Sequence, residues 1–593
     1  MRFTRWESGV PDVAEDIPWS HNGVIRDDAP ATQSASVPLT ADTFIVRTIM
    51  PNKNTPYHPI IYVRGYAMTP SEIDETTADP FCGFNLGSTV YRAVSEKDRQ
   101  PRKYVFESPV VRLASEFGYR DVYEDGYDIL DPEWSDDPDN TLPSRSIIVY
   151  RYYDEASRLL GLGETPPMEV FSAKLGELIL RVRDLVCANA DNGVTKEAFR
   201  CYLVAHSMGG LVCRGLLQNP KNDKKGAAKY VDKFFTYATP HNGIDMAGIN
   251  VPSWLSKGDM NNFNRERMTE YLDLKSEYKK TGDVDWIPEE LFPSERVFCM
   301  VGTNRMDYGV ALGLSRTFAG HGSDGLVRIE NATLKGMKAD GSLSAPCAKA
   351  FAYRAHSGFF GIVNSEEAYQ NLIRFLFGDV RVDIWVDVEA FRLPKEVAQA
   401  AKDGQDISAL YQFELLASPR GKLWYLTRRT AEEDSVACLT HKEWASAPKK
   451  NGSQFLSTVF LANRAKVNKK RRSLSYAVSL GVRVPDYEIE KKLWVNKHYE
   501  GSYLFRDSIV LELIPPAGQG ERWKVTYAWQ GQGTSTADTE IDPKAIKGGK
   551  IEIQVPFDSG TAPGMSGRLR FVISAWNADA VMDDKGEPLG SGS

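Results

Sequence analysis

The sequence predicts two folded parts, an α/β unit built on a mostly parallel sheet and a C-terminal all-β unit resembling a sandwich. Between residues 59 and 378, short continuous apolar runs alternate with amphipathic helical segments. Continuous apolar runs are typical of parallel strands covered by helices on both faces. From Val380 onward, runs of alternating apolar and polar residues are separated by Gly, Pro and Asp turns, which predicts a sandwich of about eight strands.

The composition is that of an ordinary globular protein, with 42% hydrophobic and 25% charged residues over 593 positions. A chain of this length is too long for a single core. The chain has a net charge of -7 and so lacks the excess of basic residues that is typical of nucleic-acid-binding proteins. No nucleic-acid partner is therefore expected. The seven cysteines are scattered without CxxC spacing, which predicts buried free thiols and no cysteine zinc site.

No stretch approaches the length of a membrane span, and no apolar run near the N-terminus suggests a signal peptide. We therefore expect the chain to be cytoplasmic as synthesised, with signal-independent export left open. Residues 1–41 are rich in Pro, Asp and Ser without periodicity and are predicted to form an N-terminal arm. The α/β unit is predicted to cover residues 42–378, and its first strand signals fall at 43–50 and 59–65.

A first insertion, residues 69–145, is too long for a simple loop and is predicted to carry its own helix or hairpin. Its acidic run at 131–139 contains side-chain oxygens that suit Ca²⁺, but it lacks the spacing and glycine of an EF-hand loop. A solvated loop is the preferred interpretation of this run.

Regular alternation of strands and helices follows the first insertion. Strands are predicted at 146–153, 199–205, 231–243 and 296–302, and helices at 167–186 and from 208. A last helix is predicted from its end signals, with Asn364 as N-cap, Glu367 three residues later and Gly378 after the last turn.

A second insertion, residues 249–293, is predicted to form a lid. It lies between two strands of the sheet and carries apolar residues among charges, namely Trp254, Leu255, Met260, Phe263, Met268 and Leu272. A lid of this composition would bury apolar surface when closed and offer it to substrate when open. The alternative is a permanently packed subdomain.

The segment AHSMGG, residues 205–210, lies between an apolar strand and an apolar helix. A sharp strand-to-helix turn through small residues presents its serine at a strained apex, which makes Ser207 the candidate nucleophile. Ala205 stands where the GxSxG pattern has its first glycine. The alternative is an ordinary serine at a strand–helix turn.

A serine nucleophile needs a histidine to accept its proton and a carboxylate to orient that histidine. Among the eight histidines, His356 precedes the last predicted helix, where the base of a Ser, acid, His order falls. His206 adjoins the serine but is expected to point elsewhere. Asp324 follows the preceding strand between glycines, and Asp307 is its rival nearer the strand end.

Four motifs in order, AHSMGG, ATPHNG, GSDGLV and AHSGF before a terminal helix, resemble the α/β-hydrolase lipases and esterases, particularly the bacterial lipase and GPI-inositol-deacylase-like branch. The resemblance covers residues 42–378. It implies an α/β-hydrolase fold with Ser207 as nucleophile, Asp324 as acid and His356 as base. The large insertions and the β unit also resemble bacterial lipase effectors delivered without a signal peptide.

The same resemblance implies an oxyanion hole formed by the backbone N–H groups of Tyr66 and Met208. Such lipases usually have His-Gly before the first of these donors, whereas this chain has Arg64-Gly65.

The function expected from these residues is hydrolysis of carboxylic esters, lipids or phospholipids among them, without a metal or organic cofactor. A peptidase or thioesterase on the same fold is an alternative, because the pocket rather than the triad selects the substrate. A catalytically inactive hydrolase fold acting as an interaction protein is the second alternative.

The β unit is predicted to cover residues 379–580 and to be followed by a flexible tail at 581–593. It supplies no candidate for the triad, so we expect it to determine where the protein acts, or to support the α/β unit through a fixed contact. Its basic run at 464–472, which includes Lys469, Lys470, Arg471 and Arg472, is a solvated hairpin tip or a contact for an anionic membrane or an acidic protein.

Overall fold

The computed structural model describes most of the chain from residue 57 to residue 577. The described residues are 57–65, 88–93, 101–106, 109–122, 140–150, 152, 166–246, 249–250, 262–306, 322–357, 361–465, 473–490, 497–514, 524–532, 539–541, 543–546 and 550–577. The predicted arm, the strand at 43–50, the acidic run and the C-terminal tail lie outside them.

The α/β part contains strands and helices in alternation. In chain order, its strands are β1 (Ile60–Val63), β2 (Ser88–Ala93), β3 (Pro101–Phe106), β4 (Arg120–Asp121), β5 (Ser146–Tyr150), β6 (Cys201–His206), β7 (Val231–Tyr237), β8 (Asp245–Met246), β9 (Ile249–Asn250), β10 (Trp286–Pro288), β11 (Val297–Gly302), β12 (Lys335–Met337), β13 (Leu343–Pro346) and β14 (Ala348–Ala352). Its helices are α1 (Pro109–Phe117), α2 (Met168–Ala188), α3 (Met208–Gln218), α4 (Arg265–Tyr271), α5 (Lys275–Thr281) and α6 (Glu366–Phe377). Among the described residues, no helix is both long and apolar enough to cross a membrane.

Seven strands form one parallel sheet in the order β14-β11-β7-β6-β1-β5-β4. Both of its faces are buried, as the continuous apolar runs predict. In β1, Ile61 and Val63 pack in the core that α2 and α3 cover. Ile60 and Tyr62 point to the opposite face and pack in the core that α1 and α6 cover. This sheet, with the chain turning sharply from the central β6 into α3, confirms the predicted α/β-hydrolase fold.

Helix α6 begins one residue later than predicted. The side chain of Ser365, not that of Asn364, accepts the hydrogen bond from the Ala368 backbone N–H, so the prediction of Asn364 as N-cap was wrong. Two adjacent residues had suitable side chains, and only the backbone geometry selects between them. Gly378 follows the last turn, and its N–H bonds the Arg374 carbonyl oxygen.

The first insertion contains an antiparallel pair, β2 with β3, followed by α1 and the edge strand β4. Helix α1 buries Val110, Leu113 and Phe117 against the sheet.

The described part of the second insertion is packed into the main core. Phe263, Met268 and Leu272 are at most 3% exposed. The fully buried guanidinium of Arg214 on α3 donates hydrogen bonds to the carbonyl oxygens of Val284 and Trp286, each at 2.8 Å. Residues 262–293 therefore pack with the main core in this structure. The lid over residues 249–293 stays a prediction, and its residues 251–261 lie outside the described residues.

The C-terminal part is a β-sandwich, as predicted. Its strands are β15 (Val380–Arg392), β16 (Asp406–Pro419), β17 (Thr427–Arg429), β18 (Ala437–Thr440), β19 (Ser453–Leu461), β20 (Leu474–Arg483), β21 (Asp486–Glu490), β22 (Lys497–Glu500), β23 (Tyr503–Ile514), β24 (Lys524–Trp529), β25 (Thr539–Ile541), β26 (Lys544–Ile546), β27 (Lys550–Asp558) and β28 (Gly564–Ala575). Its helices are α7 (Lys395–Lys402), α8 (His441–Ser446) and α9 (Pro448–Asn451).

These strands form a five-stranded and a nine-stranded sheet that enclose one apolar core. Every alternating run that the sequence shows after Val380 lies in one of the long strands. The shorter strands, such as β17 and β18, have too few residues to display a period of two, which is why the sequence predicts fewer strands than the structure contains.

The sandwich packs directly on the α/β part. Phe460 of β19 is fully buried in the core under α6, where its ring centre lies 5.3 Å from that of Phe375. Trp576, just after β28, donates from its indole Nε1 to the Phe375 carbonyl oxygen at 2.6 Å. Arg464, the first residue of the basic run, places its guanidinium carbon 3.5 Å from the centre of the Phe117 ring. The rest of that run, residues 466–472, lies outside the described residues.

Candidate active site

Ser207 occupies a strained turn between β6 and α3. Its backbone angles are φ 54° and ψ -128°, a combination that costs an L-residue on the order of 1–3 kcal/mol. Two backbone hydrogen bonds hold it there, from the Ser207 N–H to the Tyr237 carbonyl oxygen at 2.9 Å and from the Gly210 N–H to the Ser207 carbonyl oxygen at 3.0 Å. Strain of this kind persists only where the surroundings impose it, and it is typical of a serine presented at the apex of a nucleophile elbow.

Glycines allow neighbouring backbone to approach this turn closely. A methyl group placed at Gly209 would lie 2.1 Å from the Val63 carbonyl oxygen, and one placed at Gly65 would lie 2.4 Å from the Cβ of Ser207. No side chain fits at either position. The segment from Arg64 to Gly65 therefore runs directly beside the serine.

The structure brings the three predicted triad residues together. His356 Nε2 lies 2.9 Å from Ser207 Oγ, and His356 Nδ1 lies 2.9 Å from Asp324 Oδ2. All three residues are buried, with exposures of 5% or less. Because a carboxylate only accepts hydrogen bonds, Nδ1 is the protonated nitrogen that donates to Asp324, and Nε2 accepts the hydrogen bond from the Ser207 hydroxyl.

The loop that contains Asp324 also binds the second oxygen of its carboxylate. Asp324 Oδ1 accepts hydrogen bonds from the backbone N–H groups of Leu326 at 3.0 Å and Val327 at 2.8 Å. The His356 N–H donates to the Asp324 carbonyl oxygen at 3.0 Å, which ties the acid loop to the base loop. The carboxylate is therefore oriented before any substrate arrives.

The side chain of His206 bonds the backbone of the base, and no hydrogen bond joins its ring to Ser207 among the described contacts. Its Nε2 lies 2.9 Å from the His356 carbonyl oxygen, and the two ring centres are 5.0 Å apart. Burial holds the pKa of His206 well below its ordinary value, so the ring is neutral and Nε2 is the protonated nitrogen that donates. No signal in the sequence distinguishes this contact from a histidine that faces solvent.

Of the two predicted oxyanion donors, only Met208 lies among the described residues. It is the first residue of α3, where backbone N–H groups have no acceptor within the helix and the helix dipole favours negative charge. Tyr66 lies outside the described residues, as does Asp307, the rival acid.

Two other histidines, both among the described residues, belong to the packing of the fold. His241 is fully buried, and its Nε2 lies 3.2 Å from Thr236 Oγ1. His441 in the sandwich bonds the Tyr411 hydroxyl through Nδ1 at 2.6 Å. Neither contacts Ser207 in the described structure.

Comparisons with known proteins give distant structural neighbours only. The sequence matches no protein-family model and no curated protein. A solved structure of the Bacillus licheniformis lipase BlEst2 is similar at 15% identity and a TM-score of 0.26, over 56% of this chain and 95% of that one. The phospholipase PlaB from Legionella pneumophila is similar at 11% identity and a TM-score of 0.27, over 74% of this chain and 90% of that one. The structure of that phospholipase with thio-NAD gives 12% identity and a TM-score of 0.29, over 75% and 89% of the two chains.

The fold and the site geometry of this protein define its fold class. A parallel sheet in the order given above, with a strained serine after its central strand, defines an α/β-hydrolase fold.

Proposed function

We propose that this protein is a serine hydrolase of carboxylic esters, with Ser207 as nucleophile, His356 as general base and acid, and Asp324 as the carboxylate that orients His356. The observation that carries the proposal is the continuous hydrogen-bonded chain from the serine hydroxyl through the imidazole to the carboxylate, with both links at 2.9 Å. A structural serine needs neither the strained turn nor an imidazole whose second nitrogen is bonded to a buried carboxylate.

In the first half of the reaction, the Ser207 oxygen attacks the ester carbonyl carbon while its proton passes to His356 Nε2. Asp324 stabilises the imidazolium that forms and remains ionised. The proton on Nε2 then passes to the departing alcohol oxygen, and the acyl group stays on Ser207 as an ester. The neutral ring of His206 adds no positive charge beside this imidazolium.

In the second half, His356 takes a proton from water, the water oxygen attacks the acyl carbon, and the acid is released as Ser207 recovers its proton. We assign the stabilisation of the negative charge on the carbonyl oxygen, in both halves, to the backbone N–H groups of Met208 and Tyr66. Donors of this kind lower the barrier when they face charge that develops only in the transition state.

Lipid esters are the proposed substrate class. Met306 follows β11 and Tyr353 follows β14, at the same edge of the sheet as the triad, and they are 54% and 45% exposed. Together with the resemblance to lipases, these exposed side chains at the carboxyl ends of the strands favour an apolar ester over a charged one.

The test is turnover of a matched panel with one acyl group, presented as an ester, a thioester and an amide, by the full chain and by Ser207→Ala. We expect the ester to be hydrolysed fastest, in the presence of EDTA as well, and Ser207→Ala to lose the activity on the order of 10⁶-fold. Undiminished turnover in Ser207→Ala would refute the mechanism, and faster amide or thioester cleavage would change the substrate class.

A further inference from the structure

The acid and the base stand at the side of the sheet that the sandwich covers. Asp324 follows β11 and His356 follows β14, the outermost strand. The sandwich bonds the free edge of β14, since Ser457 Oγ donates to the Lys349 carbonyl oxygen at 2.8 Å and Thr427 Oγ1 accepts from the Phe351 N–H at 3.3 Å. An edge strand has unpaired backbone groups, and here side chains of the second unit satisfy them.

A buried carboxylate of the sandwich reaches the end of β11. Glu433 closes a short 3₁₀ turn, Ala431–Glu433, and is 7% exposed. Its Oε2 accepts a hydrogen bond from Thr303 Oγ1 at 3.1 Å, and its Oε1 accepts one from Arg428 Nε at 2.5 Å. Thr303 directly follows β11, so this contact joins the two units where the acid-bearing strand ends.

The residue before Thr303 supports both catalytic loops. A methyl group placed at Gly302 would lie 2.8 Å from the Cβ of Asp324 and 2.7 Å from the Arg354 carbonyl oxygen. Any displacement of this strand end therefore pushes against the acid, or against the segment that leads into His356. The acid loop also meets the sandwich directly, because a methyl group placed at Gly322 would lie 3.7 Å from the Cβ of Asp434.

Burying the Glu433 carboxylate between the two units costs more free energy than burying an apolar side chain there. Burial raises the pKa of Glu433, which means that the folded environment disfavours its charged form. The Thr303 hydroxyl has a single proton and a second acceptor within reach, the Ala352 carbonyl oxygen at 3.2 Å. The position of the Glu433 carboxylate thus affects the direction of a hydroxyl that sits between β11 and β14.

We propose that Glu433 is a positioning residue of the active site, which acts through Thr303 to fix the end of β11 against Asp324 and thereby sets the orientation of His356. The proposal rests on the proposed function. It makes the sandwich part of the catalytic unit, although none of its residues touches the reacting atoms.

The test compares steady-state kinetics of variants of the full chain on a small soluble ester. Thr303→Val removes the hydroxyl with little change of shape, and Glu433→Ala removes the acceptor. Each should lower kcat roughly 10- to 100-fold with KM within about twofold, since a misplacement of about 1 Å at a catalytic group costs a factor of this size. Thr303→Ser keeps the hydroxyl and should restore most of kcat. Glu432→Gln, an exposed neighbour on the same turn, is the matched control and should equal the wild type.

A second arm separates positioning from general support of the fold. In an Asp324→Asn background the imidazole has already lost its orienting carboxylate, so adding Glu433→Ala should cost little more. Equal losses in both backgrounds, or wild-type kcat in Thr303→Val and Glu433→Ala, would overturn the proposal. Failure of the proposed function is distinguishable, because it would appear as undiminished turnover in Ser207→Ala.

Discussion

The nucleophile and its two partners are held by different means. Ser207 follows the central strand β6, and its strained turn is fixed by neighbours from the α/β part itself, the Tyr237 carbonyl oxygen and the close approach of Gly65. Asp324 and His356 follow β11 and β14 at the side of the sheet, where side chains of the sandwich complete the packing and the hydrogen bonds.

The sandwich therefore affects one side of the site more than the other. The middle of a parallel sheet is buried on both faces and paired on both edges, so a turn there is determined by its own unit. An outer strand lacks one neighbour, and whatever supplies that neighbour also fixes the loops that follow the strand. Activity of this site should therefore depend on the sandwich through the acid and the base, and not through the serine.

The largest effect is expected when the sandwich is removed. A chain ending at residue 379 would expose the edge of β14 and the apolar surface around Phe375, which Phe460 and Trp576 cover in the whole protein. We expect this fragment to be unfolded or inactive on a small soluble ester, as measured by circular dichroism and turnover. Turnover at the rate of the full chain would contradict this expectation and would favour a sandwich that only targets the protein.

The next effect concerns the two partners of the serine. Asp324→Asn should lower kcat by about 10⁴-fold because the imidazole loses its correct tautomer, and His356→Ala should lower it at least as much. The double variant should be no worse than His356→Ala, since the residues act as a unit. Glu330→Gln, an exposed acid that follows the same loop, is the control. Losses that multiply would contradict a common mechanism.

A smaller effect is expected from His206. This residue precedes Ser207 at the middle of the sheet and bonds the backbone of His356 at its side. His206→Ala removes the hydrogen bond to the His356 carbonyl oxygen and should lower kcat about tenfold, the size of one hydrogen bond worth about 1–2 kcal/mol. His206→Gln carries an N–H donor at nearly the position of Nε2 and should lose less. Equal losses in the two variants would show that packing, not the hydrogen bond, is what the histidine supplies.

The last effect concerns stability rather than activity, and it is a pH dependence that arises at the middle of the sheet. Burial lowers the pKa of His58 to about 4 and holds those of His206 and His241 well below the ordinary value of 6.5. The unfolded chain then binds more protons than the folded one, so stability is complete above pH 6.5 and falls as the pH drops below it. Each histidine contributes at most about 1.4 kcal/mol per pH unit.

The measurement is the midpoint of thermal unfolding between pH 7.5 and pH 5. We expect it to fall on acidification, and to fall less steeply in His206→Gln, which removes one of the three groups. Parallel curves for wild type and variant would mean that His206 is not the neutral, buried group described here.

Those site residues whose roles follow from their order along the chain could be predicted from the sequence. Ser207 could be predicted because β6 and α3 are continuous apolar segments on either side of it. His356 could be predicted because a capped helix follows it. Contacts between distant segments leave no such trace. Glu433 and Thr303 are separated by 130 positions, and nothing near either residue signals the other. The donor role of His206 likewise depends on the path of a loop that is distant in the chain.

The second insertion shows, within the fold, that contacts between distant segments could not be predicted from the sequence. Apolar residues among charges at 249–293 suit both a lid and a packed subdomain, and only the tertiary contacts of Arg214 with Val284 and Trp286 assign the described part to the core. The long strands of the sandwich could be predicted because alternation over many residues is a strong signal.

The most direct test of the proposed catalytic serine is covalent labelling with a fluorophosphonate, followed by mass spectrometry of the intact chain and of its peptides. Such reagents react with a serine whose hydroxyl is activated by a neighbouring base. We expect one adduct per chain, on Ser207, with none in Ser207→Ala and much slower labelling in His356→Ala. An unlabelled wild type in a folded preparation, or an adduct on a different residue, would contradict it.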